Sequence, residues 1–487
     1  MTPRFALKLP LRPLAAGAAG ALLVGACALG PDFERPAPPE AHRYTAAPPA
    51  AAAPDGGENE AAAQVRVAAG PAPARWWTSL GSPTLDAWVD EGLARNRDLQ
   101  ATAANLRAAR DLLEAQVGQS ELPTAGAGLQ FERERAIGLP TFGPPTLLYH
   151  VYGATVQVDY DLDLFGAVRR GNEATRANVE AQAQELAAAR QTLAANVVAA
   201  AVRSAALRRQ VQVQERIAEL AQQRAQLVRR RYDLGGSAHR EVLEAARAAR
   251  EAAAALPGLR AQSDRARHAL ALLLGRLPEN APEDLDFESL HAPDEIPLAV
   301  PSDLVHARPD ILAAEASLHA ATAEVGVATA NLFPRISLTG QYGSESYTRS
   351  NFLRSPTTVW SAGGSLLQPL FAGGALLAQK RAASAQLEAA WQRYESTVLK
   401  AFGNVGDALR ALQEDAQALA QTAQAEDDAE RFLRETARRH ENGSESRLAV
   451  IASELALQQE RLARIGGQTA RLVDTANLYQ AIGAPAS

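Results

Sequence analysis

The sequence predicts a mixed α/β fold, built twice over in one chain, in which very long helices follow short two-faced strands. The first observation is an alternation: Tyr152, Ala154, Val156, Val158, Tyr160, Leu162 and Leu164 share one parity, and Gly153, Thr155, Gln157, Asp159, Asp161 and Asp163 the other. A period of two is a strand with one apolar and one polar face. The second is a change of period at Leu164, Phe165 and Gly166. From Arg169 to Tyr232 there is no proline and little glycine, and apolar residues recur every seventh place at Val179, Leu186, Leu193, Ala200 and Leu207. After a one-residue slip the seam resumes at Val213, Leu220, Leu227 and Leu234, the pattern of a long coiled-coil helix with a discontinuity. At 1.5 Å per residue, about 63 residues make a rod on the order of 95 Å long. The third observation is that this succession recurs later in the chain.

With 487 residues the chain can bury several domain-sized cores, and its abundant alanine and 5% aromatic content favour helices packed at close quarters. A formal charge of −6, with Arg and Glu/Asp evenly mixed, argues against a nucleic-acid binder. Cys27 is the single cysteine, which excludes a disulfide within the chain and a cysteine metal site. Arg4, Lys8 and Arg12 precede an apolar run from Leu14 to Ala26 that is too short to span a bilayer and has the form of a secretory signal, residues 1–26. The order Val24, Gly25, Ala26, Cys27 resembles the bacterial lipobox. That resemblance implies diacylglycerol on the Cys27 thiol and a third acyl chain on its freed amine, each buried methylene contributing about 0.8 kcal/mol. Ala28, where an inner-membrane lipoprotein has Asp, implies sorting to the outer membrane.

Residues 27–75 are rich in Pro and Ala with few bulky apolar side chains, and are expected to form an extended tether. Order is expected from Trp76 and Trp77, followed by amphipathic helix through Leu85, Trp88, Val89, Leu93, Leu99, Leu106, Leu112 and Leu113. Leu122 and Pro123 open a strand with Ala125, Ala127, Leu129 and Phe131 on one face and Gly126, Gly128, Gln130 and Glu132 on the other; a turn through Gly138, Pro140, Gly143, Pro144 and Pro145 leads to the strand described first. After the long helix, Gly235 and Gly236 reverse the chain, and a returning helix reaches Leu274 and Gly275 with a kink expected at Pro257. This first repeat spans residues 76–275, and loop-rich residues 276–302 separate it from a second repeat at 303–487. There Asp310, Ile311 and Leu318 echo Asp98, Leu99 and Leu106 about 212 residues on, and Phe333 and Pro334 echo Leu122 and Pro123. Strands follow, with Ile336 and Leu338 against Ser337, Thr339 and Gln341, then Trp360, Ala362, Gly364 and Leu366 against Ser361, Gly363 and Ser365. A second long helix carries a seam at Leu387, Trp391, Tyr394, Val398, Ala401, Val405, Ala408, Leu412 and Leu419, reverses at Asn442 and Gly443, and returns through Leu448, Ile451, Leu455 and Leu462 to Tyr479.

Four strands are too few to close a barrel, and an open sheet has edges that lipid cannot satisfy. Strands that lie in a membrane must therefore be pooled by several chains; a periplasmic β-sheet domain carrying helices is the alternative. Trp76, Trp77 and Leu85; Asn96, Arg97, Asp98 and Leu99; Asp161 to Gly166; Leu272 to Gly275; Arg308, Pro309, Asp310 and Ile311; Phe333, Pro334, Ile336, Ser337 and Leu338; and Asn477 to Gly483 resemble, in the same order, the TolC-like outer-membrane efflux lipoproteins of the NodT type. The resemblance implies a homotrimeric membrane channel in which three chains close a twelve-stranded β-barrel continuous with a hollow coiled-coil periplasmic cylinder. It further implies an inner-membrane pump of the resistance-nodulation-division (RND) type, loading the tube through a periplasmic adaptor docked at the helix tips.

Those tips are Tyr232 to Glu244 and His440 to Ala452. The resemblance makes Tyr232, Gly235, Gly236, Asn442, Gly443 and Ser444 adaptor-binding positions and Glu241 a periplasmic gate residue. The second tip departs from the family, with Ala449 and Ala452 where acids are common, and with Arg240 and Glu445 at positions of different character; a gate tie of Arg240 to Glu445, with Arg447 beside it, is the expectation. His239 and His440 read as polar surface residues. No nucleophile elbow, phosphate loop or zinc spacing is present, and Met1 lies in the signal, so neither catalysis, nor a metal, nor a cofactor other than the Cys27 lipid is expected. Three functions stay open: an efflux exit channel, a protein-export channel of the same shape, and a non-conducting structural lipoprotein.

Overall fold

A computed structural model describes residues 28–38, 44, 66–69, 72–137, 146–282, 285–293, 295–298, 304–305, 308–354 and 357–485. The signal sequence, Cys27, most of the expected tether and the 138–145 turn lie outside the described residues. The chain divides into two compact units. One comprises Met1–Pro36, Leu106–Gln182 and Ala314–Tyr394, and the other Ala37–Asn105, Ala183–Ala313 and Glu395–Ser487, so each draws on both sequence halves.

The first unit holds an antiparallel sheet of β2 (Thr124–Ile137), β3 (Thr146–Leu162), β5 (Arg335–Ser346) and β6 (Thr358–Leu367), in the order β2-β3-β5-β6. The register is unbroken: Leu129 opposes Ala154, Val156 opposes Ala127 and Tyr342, and Tyr342 opposes Trp360. Directly opposed residues share a face. Hence every apolar parity read from the sequence falls on one face, while Gly126, Gly128, Gln130, Thr155, Gln157, Asp159, Ser337, Thr339, Gln341, Ser361 and Ser365 fall on the other. β2 and β6 are the edges, and among the described residues nothing pairs with their outer sides.

Beyond β3, the carboxylate of Asp163 accepts the N–H groups of Val168 (3.1 Å) and Arg169 (2.8 Å), capping α3 (Ala167–Asp233, 67 residues). Seam residues Leu186, Leu193, Val213 and Leu220 are buried, but Leu234 is 87% exposed because the helix has already ended before it. α4 (His239–Leu273) passes through Pro257 as one helix. In the second half, α6 (Ala375–Glu441) is again 67 residues and α7 (Arg447–Ala481) again 35. Ala167 and Ala375, Asp233 and Glu441, His239 and Arg447, and Leu273 and Ala481 are each separated by 208 residues. The seam of α6 is buried from Tyr394 through Val398, Ala401, Val405 and Ala408 to Leu412, whereas Trp391 is 40% exposed.

The second unit also holds α1 (Pro83–Arg95), the first residues of α2 (Arg97–Glu121) and a two-stranded parallel sheet of β1 (Arg66–Ala69) and β4 (Glu295–Leu298). Trp76 and Trp77 are buried, and Trp76 stacks on Tyr479 with ring centroids 4.8 Å apart. Two polar contacts, one in each half of the chain, tie helix ends together. Asn96 donates to the Leu273 carbonyl (3.1 Å) while accepting the Leu99 N–H, and Arg308 donates to the Ala481 carbonyl (2.6 Å) while pairing with Asp310. Leu273 and Ala481 are repeat-equivalent, so each half satisfies the carbonyl orphaned at its last helix end with a different side chain.

The tether expectation is corrected at two places: residues 66–69 form β1, and residues 28–36 are docked against α3 and α5 (Pro309–Ala330). Leu29 N–H donates to the Phe165 carbonyl, and Gly30, at φ +104°, crosses directly over Gly326 of α5, where no side chain intervenes. Asp32 then meets Arg170 (2.5 Å), Phe33 stacks on His319 (4.4 Å), and Arg35 meets the buried carboxylate of Glu315 (2.6 Å). Composition missed this because ion pairs with residues far along the chain, rather than apolar burial, hold the segment. Arg35→Ala strips Glu315 of its partner, at a cost of about 1–3 kcal/mol for a buried acceptor. Limited proteolysis within residues 28–36 is expected to quicken several-fold, with the helical melting temperature little changed.

Candidate functional site at the hairpin ends

The two helical hairpins, α3–α4 and α6–α7, end in turns of one geometry. Gly236 N–H donates to the Arg231 carbonyl (2.7 Å) and Gly235 N–H to that of Tyr232 (2.8 Å); Ser444 N–H donates to Arg439 (2.9 Å) and Gly443 N–H to His440 (2.9 Å). This is the Schellman pattern, which requires a left-handed residue, and Gly235 and Gly443 both have φ +76°. The same pairing closes α4 at Gly275 and α7 at Gly483.

The side chains around the two turns differ. At the first, the Tyr232 ring lies 5.4 Å from that of His239 and under the Arg229 guanidinium, and α4 starts at Ala238 without a side-chain cap. At the second, repeat-equivalent His440 donates from Nδ1 to the Glu445 carbonyl (2.8 Å), and Ser446 Oγ accepts the Ala449 N–H (3.2 Å) as a true N-cap. His440 is therefore a closing strut of its turn, a role that a surface reading of the residue missed; its place exactly one repeat after Tyr232 was the available signal. Asn442 and Ser444 are exposed, and Ser444 Oγ donates to the Arg439 carbonyl (2.9 Å).

Arg240 pairs with Glu244 one turn along its own helix (3.7 Å), and Glu445 accepts its neighbour Ser446's N–H (3.3 Å). The expected Arg240 to Glu445 tie is thus not made within the chain, since an i,i+4 partner on the same helix needs no ordering of the opposite turn. Glu241 and Arg447 are exposed, and among the described residues neither meets an opposite charge. The ends are brought together by packing: Val228, Val242 and Ala245 form a buried cluster against which Ala225 and Leu448 lie, so the start of α7 rests on the first hairpin. Arg216 of α3 to Glu454 of α7 (2.5 Å) joins them again further up. Glu426 of α6 holds both Arg461 (3.1 Å) and Arg464 (2.9 Å) of α7.

Between α6 and α7, burial and then a hydrogen bond with the Asp474 carboxylate push the Asp415 carboxyl up to about 6, with Arg471 opposing. A carboxyl raised in the native state contributes stability that is full below its unfolded value of 3.8 and is lost as pH rises through about 6.

A two-faced sheet with unpaired edges, joined to helical hairpins whose ends are exposed and charged, defines a channel-type membrane protein. The chain belongs to the outer membrane efflux protein family, whose sequence profile matches residues 88–276 and 300–484. It is 31% identical over 480 residues to the outer membrane protein OprJ of Pseudomonas aeruginosa, covering 95% of this chain and 94% of that one. It is 30% identical over 417 residues to the pyoverdine export outer membrane protein OpmQ of Pseudomonas putida, covering 84% and 87%. Its structure matches the outer-membrane channel OprN with a TM-score of 0.80 at 28% identity, covering 94% of this chain and 99% of that one. It is an outer-membrane efflux channel protein.

Gly443→Ala forces an alanine into left-handed backbone at about 1–2 kcal/mol. Hydrogen exchange at residues 439–446 is expected to speed about ten-fold with global melting unchanged, and Gly443→Asn to do less. In thermal melts between pH 5 and 7, the wild-type chain is expected to lose more stability as pH rises than Asp415→Asn does.

Proposed function

We propose that three copies of this chain pool their strands into one twelve-stranded barrel and conduct small toxic compounds passively across the outer membrane. The observation that carries this reading is the pair of unpaired edges, β2 and β6, on a sheet that is apolar on one face and polar on the other. Within hydrocarbon each unsatisfied N–H or C=O costs several kcal/mol, so an open four-stranded sheet is not stable there, whereas a closed one is. The polar face, rich in Gly, Ser, Thr and Gln, lines the water-filled interior.

An inner-membrane pump of the RND type delivers the cargo through a periplasmic adaptor that docks at Tyr232, Gly235, Gly236, Asn442, Gly443 and Ser444. Glu241, Arg240, Glu445 and Arg447 border the periplasmic opening. Cys27 carries the S-diacylglycerol and N-acyl chains of a lipoprotein. A relative named for the export of pyoverdine, a small molecule, favours small-molecule cargo over protein export.

The polar face carries Glu132, Glu134, Asp159, Asp161 and Glu345 against Arg335 alone, which favours cations in the lumen. The purified lipoprotein is expected to run at three times the chain mass and to form cation-preferring conductances in planar bilayers. Palmitate labelling is expected of the wild type and not of Cys27→Ser. A monomer that conducts nothing would overturn the reading in favour of a structural lipoprotein.

A further inference from the structure

The apolar face of the sheet does not stay apolar to the end of its strands. Tyr152 and Phe131 oppose each other in register with rings 5.9 Å apart, and Phe352 lies within 6.4 Å of both. Tyr342 and Trp360 lie on the same face in register with Val156, four residues nearer the helix end, and the Phe131, Tyr152 and Phe352 rings form an aromatic band beyond them at the loop end of the sheet, where such rings mark the border between hydrocarbon and headgroups.

Two residues further along β2, about 7 Å beyond Phe131, Arg133 emerges on this same face opposite His150, and Arg135 follows opposite Leu148. Both arginines are exposed. Arg135 donates from Nε to Thr146 Oγ1 (3.3 Å), and among the described residues neither arginine meets a carboxylate. The strand carboxylates Glu132, Glu134, Asp159, Asp161 and Glu345 all have the opposite parity and lie on the other face. Charge is therefore sorted by face: the acids lie on the polar side, which also holds Arg335 at the other end of β5, while Arg133 and Arg135 lie on the apolar side, just past the aromatic band.

We propose that Arg133 and Arg135 form a binding site for the phosphate headgroup of an outer-leaflet lipid. The inference rests on the membrane reading of the sheet and deepens it. A guanidinium fork matches a phosphate bidentately, and two of them on alternate residues of one strand can hold one headgroup or two neighbouring ones. The aromatic and apolar rows directly below supply the surface for acyl chains, which a free phosphate ion does not use. The occupant is therefore a phosphate-bearing lipid. The same surface would anchor each chain at a fixed depth in the membrane.

The test uses the full-length lipoprotein in detergent, titrated with phosphate-bearing lipopolysaccharide, with the same material after removal of its phosphates, with phosphatidylcholine and with inorganic phosphate, and read by native mass spectrometry. At about 1 kcal/mol for each arginine near the surface, R133Q/R135Q is expected to bind the phosphate-bearing lipid about 30-fold more weakly than the wild type. R133K/R135K, which keeps the charge but loses the fork, is expected to bind with an affinity between those of the wild type and R133Q/R135Q. Equal affinity in R133Q/R135Q and wild type would overturn the proposal, as would equal binding of the dephosphorylated lipid, displacement by millimolar inorganic phosphate alone, or equal loss in the lysine pair. Bilayer conductance of the same samples separates the two readings: conductance with no phosphate preference overturns only this site, whereas no conductance overturns the channel as well.

Discussion

Backbone hydrogen bonding at the edges of one small sheet constrains everything else in this molecule. β2 and β6 are paired on their inner sides along their lengths and offer a row of N–H and C=O groups outward. In water such a row can be solvated; in lipid it has to meet another strand. The unbroken register makes the demand sharper, because it aligns four apolar stripes into one continuous face and leaves no bulge that would bury an edge. The central pair, β3 and β5, comes from the two halves of the chain, so the duplication itself builds the sheet across its middle.

The helices answer a different problem, how to keep rods of 67 residues in line with partners of 35. Small residues and a sparse apolar seam allow close approach, and the ends are finished by one device used four times, a left-handed glycine that returns two carbonyls to hydrogen bonding. Ion pairs such as the buried Glu426 carboxylate with the partly exposed Arg461 and Arg464 fix the stagger of a hairpin. Away from the glycine turns the tips are free to diverge. Tyr232 and His440 occupy equivalent places, yet one packs an aromatic pair across the turn and the other spans it with a ring N–H. Equivalent backbone with unlike side chains gives the two hairpin ends of each chain different surfaces.

Much of this was legible because it depends on short-range periodicity. The parity of Tyr152 to Leu162, the seams through Leu193 and Val405, and the glycines at 235 and 443 each report a local requirement, and the structure places them accordingly. Part of what failed to show in the sequence was held by contacts between distant positions. Residues 28–36 have the composition of a tether, but Arg35 finds Glu315 and Gly30 finds Gly326. Leu234 fits the heptad count and is exposed, because the helix ends before its side chain can face a partner. Arg240 has Glu244 four residues along its own helix, a spacing that was legible in the sequence and that a pairing sought across the two tips passed over.

Taken alone, the order of residues settles the two-faced strands, the long seams, the turns between them and the duplication, since each follows from steric and hydrophobic periods of a few residues. Which side chains close the helix ends, as Asn96 and Arg308 do at equivalent carbonyls, where the N-terminal segment lies, and which charges share a face of the sheet were decided only by folding. Those outcomes depend on contacts between elements that are separate in the sequence, and a local pattern carries no record of them.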